Sequence, residues 1–158
     1  MKMIRLATHA DLEQIERLIQ PYIADFAISR EGEEKFSSAI ILKLLNTPQV
    51  HYYVYEQNET VLGIIAYKEP AHIVHFFVDT AVQKQGIGRK LWNYVLAELQ
   101  ENITLISVNS SCYAQPIYQK FGFKAVSEVI EAHGLRFVMM QKDRTAQNKK
   151  APEGAVYS

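Results

Sequence analysis

The hydrophobic positions of this chain change period several times, and each change marks an element. Met3 to Ala7 reads as a short opening strand. Leu12, Ile15, Leu18, Ile19 and Ile23 then recur at helical spacing, which predicts a helix over residues 11–26. Thr8 or Asp11 is its N-cap candidate. Pro21 is expected to kink that helix or to start a second segment, because proline removes a donor and crowds the preceding turn. Residues 28–32 read as a connection. Phe36, Ile40, Ile41 and Leu44 predict another helix over 33–45, ended by Asn46-Thr47-Pro48.

The pattern next shortens to β-branched and aromatic runs bounded by turn residues. Strands are predicted at 50–57, 60–68 and 72–79, paired antiparallel in sequence order. Gly63, inside the middle strand, is expected at a bulge or a close approach. Leu91, Trp92, Val95, Leu96 and Leu99 return to helical spacing. Ile103 to Asn109 is a buried strand. One helix separates it from 72–79, so the two should be parallel neighbours with a right-handed crossover. Tyr113 to Phe121 reads as a short helix closed by Gly122. Residues 124–132 and 136–141 are two more strands, turning at His133-Gly134. The order is β-α-α-β-β-β-α-β-α-β-β, a mixed α/β sheet. Residues 1–143 form one domain, and 144–158 read as a polar tail with little core material.

The chemistry of the chain is concentrated between strand 72–79 and the Leu91 helix, in Gln83-Lys84-Gln85-Gly86-Ile87-Gly88-Arg89-Lys90. Two glycines at a helix start let a ligand approach the backbone closely. The first helical turn has N–H groups without internal partners and carries the positive end of the helix dipole, so such a turn binds phosphate. Arg89 and Lys90 add positive charge. The same glycines would also serve a turn packed tightly on the sheet. The dinucleotide fingerprint is absent, since position 91 is Leu, and no P-loop pattern occurs.

Composition narrows the partners. The chain has 158 residues and a formal net charge of zero, so no general attraction to nucleic acid or anionic membrane is expected. The single cysteine, Cys112, excludes an internal disulfide and a multi-cysteine zinc site. Cys112 reads as packing rather than as a nucleophile, having no paired histidine nearby in sequence. No metal is expected. With no signal-like or membrane-spanning apolar run, a cytoplasmic location is the expectation.

Two motifs carry a resemblance to a known family. Val78 to Gly88 spells V-D-x-x-x-Q-x-x-G-I-G, and Ala114 to Phe123 spells A-x-x-x-Y-x-x-x-G-F. Together, in this order, they resemble the GNAT superfamily of acetyl-CoA-dependent N-acetyltransferases. The resemblance implies the GNAT fold, with the sheet splayed between its fourth and fifth strands so that the pantetheine arm of the cofactor enters like a false strand. It implies that the N–H groups of Gln85, Gly86, Ile87, Gly88 and Arg89 cradle the pyrophosphate, flanked by Gln83 and Lys84. Phe77 and Val78 would offer backbone groups to the arm, with the Val78 N–H on the thioester carbonyl. Asn109, at the end of the next strand, would contact the arm, or else serve as a turn residue.

For catalysis, the resemblance places a general acid for the CoA sulfur at Tyr118. It places a base six residues before Val78, at His72. Strict alternation would put His72, Val74, Phe76 and Val78 on one strand face. His75 would face the other way, as a core or surface residue. Acceptor choice is expected from residues 20–47 and 128–137, where Tyr22, Asp25, Phe26, Glu31, Glu33, Glu34, Phe36 and Glu131 stand. Carboxylates beside aromatics suit a cationic amine. The expected activity is acetyl transfer from acetyl-CoA to a primary amine of a small molecule or peptide. The alternatives are a non-catalytic acyl-CoA sensor on the same fold, or an O-acyl or longer-chain acyltransferase. A homodimer is compatible with exposed sheet edges.

Overall fold

The computed structural model describes residues 3–145. Its strands are β1 (Ile4–Leu6), β2 (Val50–Gln57), β3 (Thr60–Lys68), β4 (His72–Val78), β5 (Leu105–Ser110), β6 (Lys124–Ala125), β7 (Ile130–Ala132) and β8 (Leu135–Asp143). The helices are α1 (Leu12–Phe26), α2 (Arg30–Glu34), α3 (Ser38–Leu45), α4 (Ile87–Glu98) and α5 (Gln115–Lys120). From residue 146 on, the expected tail lies outside the described residues.

The strand order is β1-β2-β3-β4-β5-β8-β6, with β7 pairing β8. All pairs are antiparallel except β4 with β5, which run parallel as the intervening helix requires. Helices cover both faces. On one face, Ile87, Leu91, Trp92 and Val95 of α4 and Tyr118 of α5 pack on Tyr53, Ile65, Ile73, Ile106, Val108 and Met140. On the other, Ile15, Leu18 and Ile19 of α1 and Ile41 of α3 pack on Tyr52, Val54, Ile64, Ala66 and Phe77. The two periods read in the sequence, helical and alternating, meet along these faces.

Local conflicts are settled by packing and side-chain bonds. Helix α1 runs unbroken through Pro21, against expectation. Proline deprives the Arg17 carbonyl of its donor, but Arg17 and Pro21 lie on the exposed side, where water can serve that carbonyl. The buried stripe of α1 holds the helix together. The helix expected over 33–45 is two helices, and α2 begins inside the expected connection. Each new start has a serine cap: Ser29 accepts from the Gly32 N–H at 3.5 Å, and Ser37 from the Ile40 N–H at 3.3 Å. The strand expected over 124–132 is likewise split into β6 and β7. There the Met139 N–H donates to the Ser127 hydroxyl at 2.9 Å, so a side chain replaces a ladder carbonyl. Gly63 meets both expectations. The β2–β3 register shifts beside it, and a Cβ on it would lie 2.9 Å from Ile87 Cγ2 and 3.0 Å from Leu91 Cδ1.

A second bulge lies in β4. Ala66 pairs with His75 but Tyr67 pairs with Ile73, leaving Val74 extra. One extra residue reverses the faces of everything before it. Phe76 and Val78 therefore pack on the α4–α5 side with Ile73. Val74 and Phe77 pack on the α1–α3 side. His75 joins that second side, between Phe36 at 6.1 Å and Phe77 at 5.7 Å. Its Nδ1 is 2.8 Å from the Tyr52 hydroxyl. His75 is thus a core residue, and burial pushes its pKa down from 6.5 to about 4.

Two outcomes test this packing. Gly32 and Gly134 join α2 to the β7–β8 turn back to back, and a Cβ on Gly32 would sit 1.9 Å from the Gly134 carbonyl oxygen. Gly32→Ala should therefore destabilise the fold by about 1–3 kcal/mol in urea titration, since backbone has to move. His75 is held neutral, so the unfolded chain takes up its proton first as pH falls. Its contribution is complete above pH 6.5 and is lost as pH falls toward about 4. Unfolding free energy should fall across that window by up to about 1.4 kcal/mol per pH unit from this group. NMR should find its imidazole titrating at the low end.

Candidate functional site

The parallel pair at the centre of the sheet is short. His72 pairs with Ser107 and Ile73 with Val108, and there the pairing ends. Strand β4 continues to Val78 against β3, and β5 continues to Ser110 against β8. A wedge-shaped gap opens between them. Its backbone lining follows from ladder alternation. The Asp79 N–H donates to the Leu62 carbonyl at 2.8 Å, so Asp79 and Phe77 turn their peptide groups toward β3. Phe76 and Val78 turn theirs toward the gap. Across it, the Ser107 N–H donates to the Ala71 carbonyl at 3.0 Å, so Ser107 and Asn109 face β4. Asn109 lies beyond the last pair and offers unpaired backbone groups and an exposed side-chain amide to the gap.

This corrects the expectation for Phe77. Its backbone belongs to the β3 ladder, and its ring packs under α1, 5.1 Å from Tyr22 and 6.3 Å from Phe26. Phe76 stands in its place at the gap. Alternation from Val78, which puts Phe76 in phase with it, was the signal in the sequence that pointed to Phe76. Val78 faces the gap through its N–H, while its carbonyl accepts from the Tyr22 hydroxyl.

Aromatic rings line the gap on the α4–α5 side. Phe76 lies 6.1 Å from Tyr118 and 6.0 Å from Phe121, which stacks on Trp92 at 5.4 Å. The Tyr118 side chain is buried, and burial pushes its phenol above the ordinary tyrosine range. Its hydroxyl has no hydrogen-bond partner among the described residues, yet it is not sealed from solvent. Such a group keeps its proton at neutral pH and has it free to donate.

The loop at the mouth of the gap is open. Gln83, Lys84, Gln85, Gly86 and Arg89 are exposed. Gly86 caps α4 in the left-handed region at φ +84°, and a Cβ there would meet nothing within 4 Å. A Cβ on Gly88 would make only ordinary contacts, 3.6 Å from Val78 and 3.9 Å from Phe76. Neither glycine is needed for packing against the sheet. A side chain at 86 would enter open space, and one at 88 would lie beside the gap wall formed by Val78 and Phe76. The first helical bond runs from the Lys90 N–H to the Gly86 carbonyl at 3.0 Å, so the amides of Ile87, Gly88 and Arg89 precede the ladder and have no helical acceptor. Lys84 is also left-handed, at φ +71°. For a lysine this costs of order 1–3 kcal/mol, a strain that collects at ligand-binding turns. The Arg89 guanidinium lies over the Phe121 ring at 5.3 Å, which holds its charge near the mouth.

His72 is a second correction. The β4 bulge removes it from the face of Val78. Its Nδ1 is 2.7 Å from the Ser107 hydroxyl, and burial, then the charge of Lys68, lowers its pKa. Six residues of strand, roughly 20 Å, separate it from Val78. Among the acceptor-side residues, Phe36 is core and Glu131 is paired with Arg136 at 2.8 Å. Tyr22 stands out instead. Its hydroxyl donates to the Val78 carbonyl at 2.5 Å and accepts from the Gln83 side-chain amide. The Gln83 side chain is thus engaged, leaving its backbone for a ligand. Ser111 accepts from the Ala114 N–H at 3.1 Å and so serves the turn into α5. Cys112 is half-buried against the larger core. Among the described residues no group of three or more His, Cys, Asp or Glu could hold a metal ion, and no helix is long and apolar enough to cross a membrane.

Known proteins share this fold. No curated protein matches the chain in sequence. Among solved structures, a GCN5-related N-acetyltransferase from Rhodopseudomonas palustris is similar with a TM-score of 0.71 at 19% identity, over 90% of this chain and 98% of that one. PaiA N-acetyltransferase from Thermoplasma acidophilum, in complex with coenzyme A, is similar at 0.70 and 19%, over 89% and 97%. An aminoglycoside 6'-N-acetyltransferase complexed with coenzyme A is similar at 0.70 and 13%, over 98% and 100%. At such identities the likeness is one of fold. The family model described as "Acetyltransferase (GNAT) domain" matches residues 24–144, which include the gap, the loop and Tyr118. With the split sheet and the open helix start inside that span, the chain belongs to the GNAT acetyltransferase family.

Proposed function

We propose that this protein transfers an acetyl group from acetyl-CoA directly to a primary amine of a small molecule or peptide. The observation that carries this reading is the β4–β5 gap, lined by unpaired backbone groups and opening onto a helix start with free amides. Acyl transfer in general follows from family membership. The acetyl donor and the amine acceptor are the proposal.

The amides of Ile87, Gly88 and Arg89, with the exposed loop Gln83–Gly86, suit a pyrophosphate: they combine unpaired donors, the helix dipole and positive charge. Phe76 and Val78 on one side and Asn109 on the other suit the amide groups of a pantetheine arm, by the logic of strand addition. When bound, acetyl-CoA supplies an activated thioester. The N–H groups of Phe76 and Val78 are donors for its acyl oxygen as negative charge develops there. The amine nitrogen bonds to the acyl carbon, the carbon–sulfur bond breaks, and the Tyr118 hydroxyl gives its proton to the departing sulfur. The ammonium proton lost by the amine returns to the tyrosine through solvent. His72, so far along the strand and on the other face, is not within direct reach of the acyl end, so water replaces it as the route. Helix α2 and the β7–β8 turn, joined at Gly32 and Gly134, form the acceptor side.

Two variants test this reading. Tyr118→Phe should lower kcat with acetyl-CoA and an accepted amine by roughly 10²-fold or more, while CoA affinity changes less than about threefold. Unchanged turnover would remove Tyr118 from the mechanism. Gly88→Ala should leave the melting temperature unchanged or slightly raised, because alanine favours a helix by about 1 kcal/mol over glycine. The same variant should weaken CoA binding about tenfold, read by calorimetry, as its methyl fills the cradle.

A further inference from the structure

The Tyr22 hydroxyl makes two bonds that the acyl-transfer reading leaves unused. Its proton goes to the Val78 carbonyl at 2.5 Å, and its lone pair takes a proton of the Gln83 amide. Val78 is the last residue of β4, and Gln83 is the first of the phosphate-facing loop. Between them lie Asp79 and a short 3-10 turn, Thr80–Val82, capped by the Asp79 carboxylate at 2.8 Å from the Ala81 N–H. A side chain from α1 thus fastens both ends of this connection with one atom. The peptide between Val78 and Asp79 is held on both edges, because the Asp79 N–H also bonds the Leu62 carbonyl at 2.8 Å. The Tyr22 ring is itself anchored on Phe77 at 5.1 Å. Burial pushes the phenol above its ordinary value, so the donor is present across the neutral range.

We propose that Tyr22 is a positioning residue of the acyl-CoA site: its hydroxyl sets the spacing between the gap and the loop mouth. One ligand must reach both places, the backbone of Phe76 and Val78 and the amides of Ile87 to Arg89. An error in their separation is felt by that ligand even when each half is intact. Tyr22 is brought from α1, so the helix on the acceptor side also sets the cofactor side. The inference rests on the reading of the loop as the CoA cradle.

The test is a double-mutant cycle read by calorimetry with CoA. Tyr22→Phe keeps the ring on Phe77 and removes both bonds. Gln83→Met keeps the chain length and removes one. CoA dissociation constants should rise about three- to tenfold for Tyr22→Phe and less for Gln83→Met. The double variant should bind no more weakly than Tyr22→Phe alone, because the glutamine contact is already gone. KM for acetyl-CoA should follow these values while kcat stays within about twofold. A Tyr22→Phe variant with a lowered melting temperature and unchanged CoA affinity would show that the phenol serves only the fold. Strictly additive effects would also overturn the proposal, since they deny a shared bridge. If the wild-type chain does not bind CoA, the cradle reading fails and this inference fails with it. Normal wild-type binding with an indifferent Tyr22→Phe overturns the inference alone.

Discussion

The protein depends on a sheet interaction that stops early. β4 and β5 pair at two positions and then separate, although each keeps its other neighbour for the rest of its length. Leaving strand edges unpaired is unfavourable unless something satisfies them. Here the unsatisfied groups face each other across the gap: those of Phe76 and the Val78 N–H on one wall, those of Asn109 on the other, while the Val78 carbonyl is held by Tyr22. The two outer halves of the sheet do not drift apart, because the aromatic cluster of Phe76, Tyr118, Phe121 and Trp92 bridges them from one face. The gap is a rigid slot of strand shape, and that is what suits it to a ligand with amides of its own.

A second constraint acts at the mouth. The helix that follows β4 starts where the gap opens, so its dipole and its unpartnered amides point at the entrance. Glycine at 86 is demanded by the backbone, at φ +84°, whereas glycine at 88 is demanded by nothing in the folded chain. A residue type that the fold does not require, placed beside free donors, is a sign of a ligand. Lys84 adds a strained backbone at the same turn. These features come from separate causes, and they coincide at one place.

Several tyrosines of the sheet and of α1 have side-chain or backbone partners. Tyr52 has His75, Tyr53 and Tyr67 share Glu98, and Tyr22 has Val78 and Gln83. The Tyr118 hydroxyl has none among the described residues, although its ring is buried. That hydroxyl keeps access to solvent, so its proton is free for an incoming acceptor. In the proposed reaction, its position next to Phe76 makes the departing sulfur the recipient of that hydrogen bond.

Apart from one split helix and one split strand, the element order was legible in the sequence, as were the buried stripes of α1 and α4, the parallel β4–β5 pair and the glycine-marked loop. Each rests on local periodicity or on turn chemistry, which act within a few residues. Val78, Gly86, Gly88 and Tyr118 were singled out by motifs of fixed spacing and by the family resemblance those motifs carry. Other features were set by packing between distant segments. An extra residue at Val74, invisible to alternation counting, turned His72 away from Val78. Ser37 and Ser127 split a helix and a strand because their hydroxyls found backbone partners, and Pro21 stayed helical because packing outweighed one lost bond. Tyr22 lies 61 residues from Gln83, and no local pattern links them. Pairing across such a distance is set by which faces must be buried together, and that is known only once the chain is folded.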